Sequence, residues 1–182
     1  MSLFTRDTIY ISADKQTYLK FDPGTDTFTL VVDGTQVMSA KSGGAVLDSR
    51  HVDIGDNTAY TVLAENSGKV HTIPDLTGDL TISLPTPAAG LYYEFWYAGV
   101  AADAQDWAID TGSNTNFLLG GLLQVDDAPA ADSAAPNGSS NSIVNVLTPE
   151  PGTVVKLACD GTNWILSGTV ASANAPTFAD QS

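Results

Sequence analysis

The chain of 182 residues has one cysteine, two histidines and only seven basic residues. A single cysteine cannot close an intrachain disulfide, so no covalent staple holds the fold. Cys159 falls on an expected strand with Val155, Leu157 and Trp164 nearby, and reads as a buried inert thiol rather than a nucleophile. With His51 and His71, the thiol makes too sparse a set for a zinc cluster. Arg6, Lys15, Lys20, Lys41, Arg50, Lys69 and Lys156 are scattered and form no run. This argues against direct binding of nucleic acid, which needs a phosphate-neutralising patch, and against attachment to an anionic membrane. No apolar run approaches the length that spans a bilayer. The opening MSLFTRDTIYIS lacks the apolar core of a signal peptide. The expectation is a soluble protein made in a cytoplasm.

What the chain does have is acid, small polar residues and glycine. Twenty-one acidic residues give a net charge of −14, and the charged fraction is 15%, low against a usual figure of about 25%. An acidic excess keeps a protein soluble through self-repulsion. The length suits one or two domains. The hydrophobic content of 43% is ordinary for a globular protein. Low charge with many turn formers is the texture of an all-β protein.

Strand patterns run through most of the sequence. Thr8–Ser12, Thr17–Phe21, Phe28–Val32 and Thr35–Ser39 alternate apolar with polar residues. Turn signals separate them at Ala13–Gln16, at Asp22-Pro23-Gly24 and at Asp33-Gly34. This predicts a small N-terminal sheet of three to four strands over residues 1–40, marginal if isolated. Ala40–Gly44, AKSGG, is the linker candidate, and residues 41–56 read as a linker or crossing segment in which Val46–Ile54 is either one more strand or an ordered crossing. A larger antiparallel β-sandwich or barrel is expected over residues 57–170. Within it, Ala98–Asp106 is a candidate for one helical turn. Residues 126–142 read as a long surface loop, and residues 171–182 as a flexible C-terminal tail. No repeat of solenoid period is visible.

The densest strand information lies in Thr58–Tyr97. Four β-type runs are separated by Ser67-Gly68, by Leu76-Thr77-Gly78-Asp79 and by Pro85-Thr86-Pro87 with Gly90. Every strongly placed residue there is apolar or a turn former, so the segment reads as scaffold. Ser67, His71 and Asp75 can be drawn as a triad, but Ser67 sits in a plain Ser-Gly turn without a nucleophile elbow. Asp103, Asp106, Asp110, Asp126 and Asp127 have no EF-hand spacing, and solvated loop carboxylates are the plain reading. Glu65, Glu94 and Glu150 are not placed as a glycosidase pair. No catalytic residue, metal site or cofactor is expected. Alternation puts Tyr93, Phe95 and Tyr97 on one face of their strand, with Tyr92, Glu94 and Trp96 on the other. Aromatics on both faces suggest a core on one side and a subunit interface at Tyr92 and Trp96 on the other, with sugar stacking as the sharper alternative.

The order Ser-Gly-Lys turn, aliphatic strand ending in Leu-Pro, Pro/Gly linker and Gly-Leu-Tyr-Tyr-x-Phe strand resembles a β module of tailed-bacteriophage virion proteins, of the head decoration, head-fibre and tail-fibre kinds. Val154–Trp164, with its Asp160-Gly161-Thr162 turn and Trp164, resembles the closing hairpin of such modules. The resemblance covers about residues 58–170. It implies a structural, non-enzymatic role as a capsid decoration (cement) protein on the outer surface of the phage head. The major capsid protein would be one partner, and the chain itself, as a homotrimer, the other. The alternative it implies is a head-fibre or tail-fibre module that binds host glycans. Residues 1–40 hold three of the seven basic residues, and alternating strands with open edges can extend a partner's sheet. The expected capsid contact is therefore Arg6, Lys15, Tyr18 and Lys20.

Overall fold

The computed structural model describes residues 8–24, 27–41, 44–47, 50–125 and 132–181. Nearly all its elements are strands; the one helix among the described residues is a short 3-10 turn, Ala64–Asn66. The chain divides into two compact units, Met1–Arg50 and His51–Ser182.

The N-terminal unit is one antiparallel meander. β1 (Thr8–Tyr10), β2 (Tyr18–Asp22), β3 (Thr27–Val32), β4 (Thr35–Lys41) and β5 (Gly44–Leu47) pair in chain order. Asp33 and Gly34 both take positive φ, 51° and 75°. They form the two-residue connection between β3 and β4 that matches strand twist. A bulge between Leu30 and Val31 shifts the β3–β4 register. Within residues 41–56 the described elements are strands: β5 completes the N-terminal sheet, and β6 (His51–Asp53) belongs to the second unit. β4 and β5 pair antiparallel, Ala40 opposite Ala45 and Lys41 opposite Gly44.

The second unit holds β7 (Ala59–Thr61), β8 (Val70–Ile73), β9 (Leu80–Ser83), β10 (Tyr92–Tyr97), β11 (Trp107–Asp110), β12 (Leu118–Gly120) and β13 (Leu122–Val125). It continues with β14 (Asp132–Ala134), β15 (Ile143–Val146), β16 (Val154–Cys159), β17 (Trp164–Ala171) and β18 (Thr177–Ala179). From β6 to β11 the chain alternates between two sheets. β6, β8 and β10 lie side by side in the larger sheet, and every pair is parallel. β7, β9 and β11 do the same in the smaller sheet. Each circuit of this coil adds one strand to each layer. The chain then reverses: β15 pairs with β11 and β16 with β10, both antiparallel.

The second unit is therefore mixed, not antiparallel as expected. The four runs of Thr58–Tyr97 do not pair with their sequence neighbours. Their turns carry the chain across to the opposite layer, which the same Gly and Asp signals allow. Carboxylates hold those crossings. Leu76 N–H donates to Asp103 Oδ2 at 2.8 Å, Thr77 N–H to Asp56 Oδ1 at 2.9 Å and Asp106 N–H to Asp79 Oδ1 at 3.0 Å.

The inward residues of both layers form one core. His71, Ile73, Tyr93, Phe95, Val155, Leu157, Trp164 and Leu166 come from the larger sheet, and Leu80, Ile82, Trp107, Ile109, Val144 and Val146 from the smaller. Side chains alternate along each strand, which is why Tyr93, Phe95 and Tyr97 are buried while Trp96 between them is exposed. β12 and β13 run along β17 in one continuous register. Gly120, with φ of 93°, lets them lie so close that a Cβ there would sit 2.2 Å from the Leu166 carbonyl oxygen.

Three smaller expectations change. Ala98–Asp106 forms bends without a helical turn; Gly99 and the Asp103 side chain, tied to backbone amides, oppose one. The 126–142 segment contains β14, paired with β13, and its residues 126–131 lie outside the described ones. The C-terminal tail is not free. β18 pairs with β15 at the edge of the smaller sheet, and Phe178 packs against the core and anchors it.

Candidate functional site

Two broad sheet faces, rather than a cleft of polar groups, are the features that stand out. The first belongs to the N-terminal sheet. Directly opposed residues in an antiparallel ladder share a face. The register aligns Ile9, Leu19, Leu30 and Met38 across β1 to β4, with Leu47 next in register on β5. Phe21, Phe28 and Ala40 form a second row on the same face. All seven positions named on β1 to β4 are apolar. Ile9 is 55% and Phe21 48% exposed, and Leu19, Phe28, Leu30, Met38 and Ala40 are half-buried. Every described element of the unit lies in this one sheet, so the unit's described residues supply no second layer over the face.

The opposite face of that sheet gathers residues expected to contact a capsid. Tyr10, Tyr18 and Val31 share a row, and Thr8, Lys20 and Thr29 the next. The Tyr10 and Tyr18 rings meet edge to face at 5.6 Å, and Lys15 Nζ sits 5.6 Å from the centre of the Tyr10 ring. Lys15, at φ of 62°, is carried there by a tight turn in which Ser12 and Asp14 hydrogen-bond to each other and to the backbone. The Asp14 carboxyl is held below its ordinary range by the Ser12 hydroxyl and the Gln16 amide. Lys15, Tyr18 and Lys20 thus lie together; Arg6 is outside the described residues.

The second face is the outward side of the larger sheet. Trp96, Val154, Thr169 and Leu123 align across β10, β16, β17 and β13. Tyr92, Ala158, Ile165 and Leu119 align four residues away along the strands. Between the rows stand the face's two charges on these four strands, Glu94 and Lys156, 3.7 Å apart. Tyr92 Oη donates to Glu94 Oε1 at 2.7 Å and Trp96 Nε1 donates to Glu94 Oε2 at 3.0 Å. Burial tends to raise the Glu94 pKa, but these two donors and the Lys156 charge together hold it below its ordinary value. The Tyr92 phenol is pushed up to about 12 by burial and by the carboxylate it donates to. Trp96 remains 43% exposed. The two residues expected at a subunit interface are therefore joined through one carboxylate on an open face.

The sketched triad is dispersed. Ser67 Oγ accepts from the Tyr92 N–H at 3.0 Å, and Asp75 Oδ1 accepts from Tyr97 Oη at 2.6 Å. His71 is fully buried between the layers, ringed by Tyr60, Tyr93 and Phe95 at centroid distances of 5.1–6.1 Å. Among the described residues neither of its ring nitrogens has a hydrogen-bond partner. Asp103, Asp106 and Asp110 each accept from backbone amides, and among the described residues no group of three metal-ligating side chains converges. Asp126 and Asp127 are outside the described residues.

The apolar face of the N-terminal sheet was the feature missed in the sequence. Its signal was present, since Leu19 with Phe21 and Phe28 with Leu30 are spaced two apart, but only the register shows that all strands turn these residues the same way. No protein-family model matches the chain, and no curated protein matches it. The resemblance of residues 58–97 and 154–164 to virion proteins therefore rests on those motifs alone.

Proposed function

We propose that this chain is a structural protein of a tailed-phage virion that decorates the assembled head and strengthens it, without catalysis. The observation that carries this reading is the two-faced N-terminal sheet in a chain whose second unit has a complete core of its own. Polar groups that enzymes gather in clefts are spent here on turns, while whole sheet faces stay available for flat contacts. The Tyr10, Tyr18, Lys15 and Lys20 face is the proposed contact with the major capsid protein. It offers aromatic rings with cationic rims, a combination suited to a stable protein interface. Modest affinity per copy suffices where several copies engage one shell.

The test is co-sedimentation of the full chain with heads stripped of decoration. Tyr18→Ala with Lys20→Glu should abolish binding while far-ultraviolet circular dichroism stays unchanged. Unchanged occupancy would remove the N-terminal face from the contact. A second reading, a fibre module for host glycans, is favoured by one observation: Trp96 lies exposed beside Tyr92 and a hydrogen-bonded carboxylate, an arrangement on which a sugar ring can stack. Loss of cell or glycan binding in Trp96→Ala, with head binding intact, would select it.

A further inference from the structure

We propose that the apolar face of the N-terminal sheet is covered by the same unit of a further copy of this chain, so that the free protein is already a homo-oligomer. This stands on the geometry of the face and does not depend on the capsid reading.

A sheet with one apolar face must bury it against another layer to be stable. Here that face runs across at least four strands in register, from Ile9 to Met38, with Phe21, Phe28 and Ala40 beside it. A layer supplied only by a shell would leave the free chain with this patch in water, which soluble proteins rarely tolerate. Two apolar sheets stacked face to face, about 10 Å apart, satisfy each other by interdigitating.

Charge identifies the occupant. Residues 1–50 hold five of the seven basic and six of the 21 acidic residues, a net charge of −1, which leaves −13 for residues 51–182. Two copies that met through their second units would oppose those charges directly. A contact through the first units does not itself bring those charges together, and the contact positions carry no charge. A partner chosen by electrostatic attraction would instead seek the acidic unit. Association of copies through a neutral face also has a salt signature. Screening the acidic units from one another strengthens it, whereas attraction between unlike partners weakens with salt.

The experiment is sedimentation equilibrium of the full chain alone, at 50 mM and 500 mM salt, over a range of protein concentrations. The unmodified protein should be a multimer whose dissociation constant is unchanged or lower at the higher salt. Phe21→Lys and Ile9→Lys place a charge at positions already about half exposed, so the sheet itself should accept them. Each should raise the dissociation constant by at least about tenfold, because a buried unpaired charge is costly. Lys20→Glu on the opposite face should leave it within about twofold. A monomer at tens of micromolar overturns the proposal. A multimer indifferent to both lysine variants also overturns it and moves the contact elsewhere, the Trp96 face first. No shell is present in this measurement, so its failure leaves the head-binding test intact.

Discussion

The two units use the same strand grammar and end in opposite conditions. In the second, two layers close over a core in which Trp107, Trp164, Tyr93 and Phe95 have no exposed surface. In the first, Val31 is the only hydrophobic residue that is buried among the described ones. Both carry an Asp-Gly-Thr turn sequence, Asp33-Gly34-Thr35 in one and Asp160-Gly161-Thr162 in the other. The difference lies in connectivity. The coil from β6 to β11 returns a second layer after every strand, whereas the meander from β1 to β5 never leaves its plane. Local pattern makes a strand; what lies across from it decides whether that strand is core or interface.

The comparison can be broken most forcefully at Trp164. Trp164→Ala removes a fully buried indole that packs 5.9 Å from the Tyr93 ring and should cost the second unit about 3–5 kcal/mol, read from denaturant midpoints. Leu30→Ala in the N-terminal sheet should cost well under half of that in dilute protein. A cost at Leu30 matching that at Trp164 at every concentration would mean the first unit is closed on itself.

Gly120→Ala should come next. The new Cβ would meet the Leu166 carbonyl at 2.2 Å in a backbone of φ 93°, so the β12–β17 ladder must open. A loss of about 2 kcal/mol or more is expected in the same unfolding experiment, and an unchanged midpoint would show that β12 is not held where described.

His71 tests the core through pH. Burial pushes its pKa below the ordinary 6.5, helped by the Lys69 and His51 charges; the nearby backbone of Glu94 and Lys69 opposes this only in part. The unfolded chain then binds a proton near pH 6.5 that the folded chain resists, so stability is full above that pH and falls as pH drops toward the lower folded value. His71→Phe removes this slope. Its advantage over the unmodified chain should widen from pH 7.5 to pH 5.5, and a gap independent of pH would contradict the burial.

The smallest effect is expected at the outward face of the larger sheet. Glu94→Gln removes the charge between Tyr92, Trp96 and Lys156 and should change stability by about 1 kcal/mol or less. Since the folded Glu94 pKa lies below its ordinary 4.5, what it contributes is present above that value and disappears as pH falls through the folded one. A larger loss at neutral pH would mean that this face is buried in solution.

The strands were largely legible. Alternation located β1 to β4 and β7 to β10 closely, and placed Tyr93, Phe95 and Tyr97 opposite Tyr92, Glu94 and Trp96. The coil was not legible, because no residue pattern repeats with its circuits. The circuits fill the layer with different side chains, such as Leu80 in one and Trp107 in the next, and Gly–Asp turns serve a hairpin and a crossing equally well. β18 was hidden because a three-residue strand needs only one anchor, Phe178. The Tyr92–Glu94–Trp96 group was half legible: alternation put the three on one face, but the carboxylate bridging both rings required coordinates.

Hydrogen exchange of the full chain at two protein concentrations tests most directly whether one unit is self-sufficient and the other an interface. Amides of β2, β3 and β4 should gain protection as concentration rises, because their layer is completed by association. Amides of β10, β16 and β17 should exchange at the same rates throughout. Equal and concentration-independent protection in both units would contradict the account.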